Sequence, residues 1–169
     1  MENIPKFRGK RVDNGEWVYG SLLIDYSGTT QIWEKDENQA QHNFIIDRKT
    51  MGQYTGFKDK NGKEIYSGDI IKHPYKKTIS IITFFKGSFC LFNCLGDGFY
   101  PIINFYIDNL NLENLDDIKD YEVVGNIFDN KEEFNRLFEK VKYAGFPVEV
   151  LKHWEVLNGK NKGCGTSDI

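Results

Sequence analysis

Residues 51–72 read MGQYTGFKDKNGKEIYSGDIIK, and this stretch decides the fold. The run Gln53-Tyr54-Thr55-Gly56-Phe57 is a short extended segment. Lys58-Asp59-Lys60-Asn61-Gly62 breaks it with an Asn-Gly pair, whose two residues accept positive φ and turn one strand into the next. Lys63-Glu64-Ile65-Tyr66 resumes the extended chain. Ser67-Gly68-Asp69 punctuates again, and Ile70-Ile71-Lys72 enters a strand that Pro74 must end or confine to a sheet edge, because proline lacks the ladder donor. Short strands separated by turn chemistry predict a β-sheet.

The pattern continues on both sides. Upstream, Lys6-Phe7-Arg8-Gly9, the punctuation Asp13-Asn14-Gly15 and residues 17–24 (WVYGSLLI) predict a hairpin. A second candidate pair spans residues 26–33, broken at Ser27-Gly28. Residues 34–43 are polar, carry no apolar period and read as a surface loop. Phe44-Ile45-Ile46 is a short strand. Downstream, residues 78–85 (TISIITFF) are continuously β-branched and aromatic, which predicts a strand buried on both faces at the centre of the sheet. Residues 89–95, 99–106 and 121–128 supply further strands, and residues 108–120 have a mixed period. A helix starts next, with Asn130 as N-cap, Glu133 three residues on and an apolar stripe of Phe134, Leu137, Phe138 and Val141. Gly145 ends it. Pro147 opens a short second helix whose Val150, Trp154 and Leu157 share a face.

The composition agrees. Aromatic residues make up 15% of the 169, with Phe 13 and Tyr 9, and such residues suit pleated, half-buried surfaces. Through Ser80 there are thirteen Lys and Arg against eleven Asp and Glu; beyond it, nine against fourteen. The halves are near +2 and −5, too mild for a strongly basic nucleic-acid binder or a highly acidic DNA mimic. Cys90, Cys94 and Cys164 are an odd set in a chain too large to need disulfides, and fit free thiols in a reducing cytoplasm. The N-terminal MENIPKFRGKR lacks an apolar signal region, and no run is long enough to span a bilayer. The expected architecture is mainly β: a strongly bent sheet or barrel-like β-sandwich with one or two C-terminal α-helices. Residues 1–145 form the domain, and residues 146–169 form an extension of a short helix and a polar, Gly-rich tail.

Three segments together resemble the YopX-like family of phage and prophage proteins. They are Lys6-Phe7-Arg8-Gly9 with residues 14–20 (NGEWVYG), residues 53–71 (QYTGFKDKNGKEIYSGDII) and residues 122–130 (EVVGNIFDN). In order and spacing they cover roughly the first three quarters of the chain. The resemblance implies a mostly β fold, a phage or prophage source and an unknown biochemical role, and it brings no catalytic residues with it. The extension beyond the first helix falls outside it.

Several groups invite a functional reading. Lys72, His73, Tyr75, Lys76 and Lys77 combine cations with an aromatic ring, so phosphate attraction and base stacking are available to them; lysines guarding an edge strand are the bland alternative. Asp69 has the chemistry to hold a cation or act as a base, although an Asp beside Gly more often caps its own turn. Cys90 and Cys94 lack a second ligand pair for zinc and read as buried thiols. His42, His73 and His153 are scattered, no Gly-rich phosphate loop is present, and neither a metal nor a cofactor is implied. The acidic group Asp108, Glu113, Asp116, Asp117, Asp120 and Glu122 reads as a solvated face, with DNA mimicry as its sharper alternative. Val150, Trp154 and Leu157 form a partner-interface candidate, with docking on their own domain as core the alternative, since so short a helix must pack on something. With no catalytic set in the sequence, the leading expectation is a non-enzymatic phage or prophage accessory protein in the host cytoplasm. It binds a macromolecule, such as a host or phage protein, and is a homo-oligomer. A small-barrel nucleic-acid binder and an enzyme whose residues converge only in the fold are the alternatives.

Overall fold

The computed structural model describes residues 5–74, 79–85, 88–93 and 120–132, and strands dominate them. The elements are β1 (Phe7–Arg11), β2 (Trp17–Ile24), β3 (Thr30–Lys35), β4 (Gln41–Lys58), β5 (Glu64–Tyr66), β6 (Asp69–Lys72), β7 (Ile79–Phe85), β8 (Ser88–Asn93) and β9 (Glu122–Asn126). They form a five-stranded sheet, β1 to β5 in sequence order with an added β1–β4 pairing, and a four-stranded sheet in the order β8-β7-β6-β9. Every strand pair is antiparallel. The expected strand at 99–106 and both C-terminal helices lie outside the described residues, which end on helical backbone at Lys131 and Glu132.

The Asn-Gly turns form where the sequence places them, but with different geometry. Only the glycines take positive φ, 74° at Gly15 and 81° at Gly62. Gly62 N–H donates to Asp59 O at 2.9 Å and Asp59 N–H to Lys63 O at 2.8 Å, so β4 and β5 are joined by a three-residue loop that ends in a left-handed glycine. Residues 34–43 are a correction. They are not a loop but the end of β3, a turn and the start of β4, with Glu34 opposite His42 and Lys35 opposite Gln41. The turn is held by Asp36, whose Oδ1 accepts N–H bonds from Asn38 at 2.8 Å and Ala40 at 2.9 Å. The ladder and this turn supply the order here, since residues 34–43 contribute no buried side chain.

The pairings of the first sheet return on themselves. β2 pairs with β1 through Gly20 and with β3 from Ser21 onward. β4 pairs first with β3, then with β1, then with β5. Gly20 sits at the changeover in β2, where a methyl group would collide with the carbonyl of Trp33. Val18, Ile32 and Ile46 form the buried core of this ring, with Phe7, Leu22, Phe44 and Met51 packed around them. A second core joins Ile65, Ile71, Ile82 and Val123. Ser80 to Thr83 are buried consecutively, and β7 lies between β6 and β8, as the TISIITFF pattern requires. β6 is also internal, between β7 and β9, so Lys72 does not guard an edge.

Ser67-Gly68 carries the chain from one sheet to the other. β5 belongs to the first sheet and β6 to the second, so this turn is a corner and not a hairpin. Gly68 has φ 89°, donates to Ile82 O at 2.7 Å and accepts from Ile127 N–H at 3.0 Å.

Candidate functional site

The corner is built against an arginine. Arg8 and Tyr19 are opposite each other in the β1–β2 register, and Lys10 is opposite Trp17, so these side chains share the face of the hairpin that turns away from the Val18 core. The β5–β6 corner covers that face. Arg8 Nη2 meets Asp69 Oδ1 at 2.6 Å, with both side chains almost wholly excluded from solvent. The guanidinium carbon lies 4.7 Å from the ring centre of Trp17 and 5.0 Å from that of Tyr66. Asp69 Oδ2 accepts the Tyr66 N–H at 2.8 Å. The carboxylate therefore both caps its own turn and holds a cation, and the cation is Arg8. Burial pushes the Asp69 carboxyl above its ordinary value, against the pull of Arg8 and the Tyr66 amide.

A network surrounds this pair. Tyr66 donates its hydroxyl to Glu64 Oε2 at 2.6 Å, and Lys6 Nζ reaches the same oxygen at 2.7 Å. Burial, then the Glu64 acceptor, drives the Tyr66 hydroxyl far above the usual phenol value. Tyr19 and Tyr54 pack tilted rings on Tyr66 at 5.6 and 5.5 Å. On the other side Asp129 accepts from Trp17 Nε1 at 2.9 Å and Asn126 Nδ2 at 2.7 Å, and is ion-paired with Lys10. Partial burial opposes ionisation of Asp129, but these donors outweigh it and bring the carboxyl down to about 2. Asp59 binds the second sheet in the same way, accepting N–H bonds from Asn61, Lys63 and Val123 at 2.8, 2.9 and 3.0 Å.

The three sequence segments quoted above meet here. The Tyr66 hydroxyl is engaged by Glu64 and one arm of the Arg8 guanidinium by Asp69, and this is the chemistry of a clasp between two sheets. Among the described residues no group of three His, Cys, Asp or Glu side chains is arranged to hold a metal ion.

The other candidates are dispersed. Lys72 is exposed on β6, and its register partner on β9 is Glu122, which itself pairs with Lys60 at 2.6 Å. His73 is half-buried with its ring edge-on to Tyr121 at 4.9 Å. Tyr75, Lys76 and Lys77 lie outside the described residues, as do Val150, Trp154 and Leu157, Cys94, Cys164, His153 and the acidic positions before Asp120. His42 pairs with Asp36 at 3.1 Å on the surface.

A further exposed surface lies on β2, β3 and β4. Leu23, Trp33 and Ile45 are 45%, 38% and 54% exposed on adjacent strands. They occupy the outward positions of β2, β3 and β4, while Leu22, Ile32 and Phe44 form the inward row. The signal was present in the sequence: β2 is apolar at both parities, so a half-buried strand of this composition must expose some of its large side chains.

Among the described residues no helix is long and apolar enough to cross a membrane. No curated protein matches the chain. Among solved structures, the crystal structure of protein EF1440 from Enterococcus faecalis is similar at 24% identity, covering 76% of this chain and 96% of that one with a TM-score of 0.45. A model of the YopX protein family matches residues 6–134, a span that takes in the ring, the corner and every residue of the Arg8 clasp. On that match the chain belongs to the YopX family.

Proposed function

We propose that this chain is a non-enzymatic accessory protein of a phage or prophage, resident in the host cytoplasm, that acts through protein–protein contact as a homo-oligomer. Its strongly bent first sheet, whose pairings return on themselves, serves as a rigid barrel-like scaffold for that contact. The observation that carries the reading is the outward face of β2, β3 and β4, where Leu23, Trp33 and Ile45 stand exposed in two neighbouring cross-strand rows. The clasp supports it from the other direction, since its titratable groups are committed to structural partners.

Light scattering at micromolar concentration should return a mass above that of one 19.7 kDa chain, and a monomer mass overturns the oligomer. Fluorescence anisotropy with single- and double-stranded DNA and RNA at low ionic strength should show no binding. A salt-dependent rise would favour a nucleic-acid binder instead.

A further inference from the structure

We propose that Asn61 is a self-modification site of this protein, where the side-chain amide is lost as ammonia and the backbone is rerouted through the side chain as isoaspartate. The sequence holds three Asn-Gly pairs, at 14–15, 61–62 and 158–159, and the last lies outside the described residues. In such a pair the glycine nitrogen has no side chain beside it and can reach the asparagine Cγ. At this turn the bond from Gly62 N to Asn61 Cγ forms and the Cγ–Nδ2 bond breaks, and the proton of Gly62 N leaves with the ammonia. Water then opens the cyclic imide. Opening at Cγ gives aspartate; opening at the Asn61 backbone carbonyl gives isoaspartate, whose main chain is longer by a methylene.

The structure separates the two described pairs. Asn14, Gly15, Asn61 and Gly62 are all exposed. Both glycine amides are tied, Gly15 N–H to Arg11 O at 3.0 Å and Gly62 N–H to Asp59 O at 2.9 Å, so that restraint slows the two alike. The asparagine side chains differ. Asn14 is held at both ends, its Nδ2 donating to Glu16 Oε2 at 2.7 Å and its Oδ1 accepting the Glu16 N–H at 3.0 Å. Among the described residues no hydrogen bond reaches the Asn61 side chain; its backbone N–H alone is engaged, by Asp59 Oδ1 at 2.8 Å. The Asn61 Cγ is free to swing onto Gly62 N, whereas Asn14 must first break its two bonds, one of them to a carboxylate. The change also has a structural target. Asp59 accepts the Lys63 N–H through Oδ1 and the Val123 N–H of β9 through Oδ2. A methylene added between Asp59 and Lys63 pulls that carboxylate out of register with both amides.

The full chain is aged at mildly alkaline pH and body temperature, folded and in urea, and its peptides are mapped by mass spectrometry with fragmentation that separates isoaspartate from aspartate. In the folded protein Asn61 should lose its amide at least about tenfold faster than Asn14, and in urea the two rates should converge. Glu16→Ala, which removes one of the two holds, should speed Asn14 and leave Asn61 unchanged. Hydrogen exchange on the aged protein should show the Val123 amide exchanging roughly tenfold faster, while Asn61→Ala aged alongside keeps its protection. If folded Asn61 stays an amide over the time in which the unfolded chain converts, or converts no faster than Asn14, the site is overturned. If the ratio of the two rates is the same folded and in urea, the side-chain hydrogen bonds are overturned as its cause. If Asn61 converts and Val123 keeps its protection, the link to β9 is overturned.

Discussion

Arg8 and Asp69 are an ion pair almost wholly excluded from solvent, so removing one leaves the other's charge buried without its partner. Arg8→Ala or Asp69→Ala should cost about 3–5 kcal/mol in urea unfolding, several times the effect of an exposed ion pair. Arg8→Lys should recover little of it. An ammonium cannot lie flat between Trp17 and Tyr66 while reaching Asp69. The neighbouring carboxylate gives a different signature. Asp129 is held down to about 2, so its ionised form is favoured by the folded state. That contribution is present above an unfolded value of about 4 and is lost as pH falls from about 4 to 2. Asp129→Asn should therefore flatten the acid limb of the stability curve. With the side chain 41% exposed, the difference should be about 1 kcal/mol or less. Asp69 works in the opposite sense: its raised carboxyl value favours the protonated folded form, a contribution lost as pH rises through that value.

At the scale of elements, two turns fix how the sheets meet. Gly68 adopts φ 89°, and a methyl group there would sit 2.9 Å from the Phe128 ring. Gly68→Ala should destabilise by about 1–3 kcal/mol, since both the backbone and the contact oppose it. Asp59→Ala should leave three amides short of an acceptor, and hydrogen exchange should show the Val123 amide losing protection first. The turns were readable because glycine and aspartate act locally: Asn61-Gly62 and Ser67-Gly68-Asp69 declare themselves within a few residues. What Asp69 holds was not readable, because Arg8 lies sixty-one positions away and nothing local links them. The β3–β4 turn was missed for a third reason. Its strand ends carry Glu34, Lys35, Gln41 and His42, and a ladder stabilised by backbone bonds and one Asx turn leaves no apolar period to see. The exposed face escaped because alternation identifies which side is buried only when the opposite side is polar.

Across the whole molecule the two cores are tied at several points. Ile65 comes from β5 of the first sheet yet is buried in the second core, and Gly68, Arg8 and Lys10 all bridge across. The sheets should therefore unfold together. Native-state hydrogen exchange should give Ile46 and Ile82 amides the same opening free energy, and Asp69→Ala should lower both equally; a fall confined to one sheet would show two independent units. β4 gives the molecule an order in time as well as in space. It is the common neighbour of β1, β3 and β5, so a chain emerging from the ribosome cannot close the first ring until Gln53, the partner of Phe7, has appeared. Asp69 follows soon after and can capture Arg8, whereas β6 waits for β9, more than fifty residues later, to complete its ladder. During that interval the nascent protein carries a finished ring with β6 at its corner still short of one neighbour, a length of open strand edge that closes only when β9 arrives.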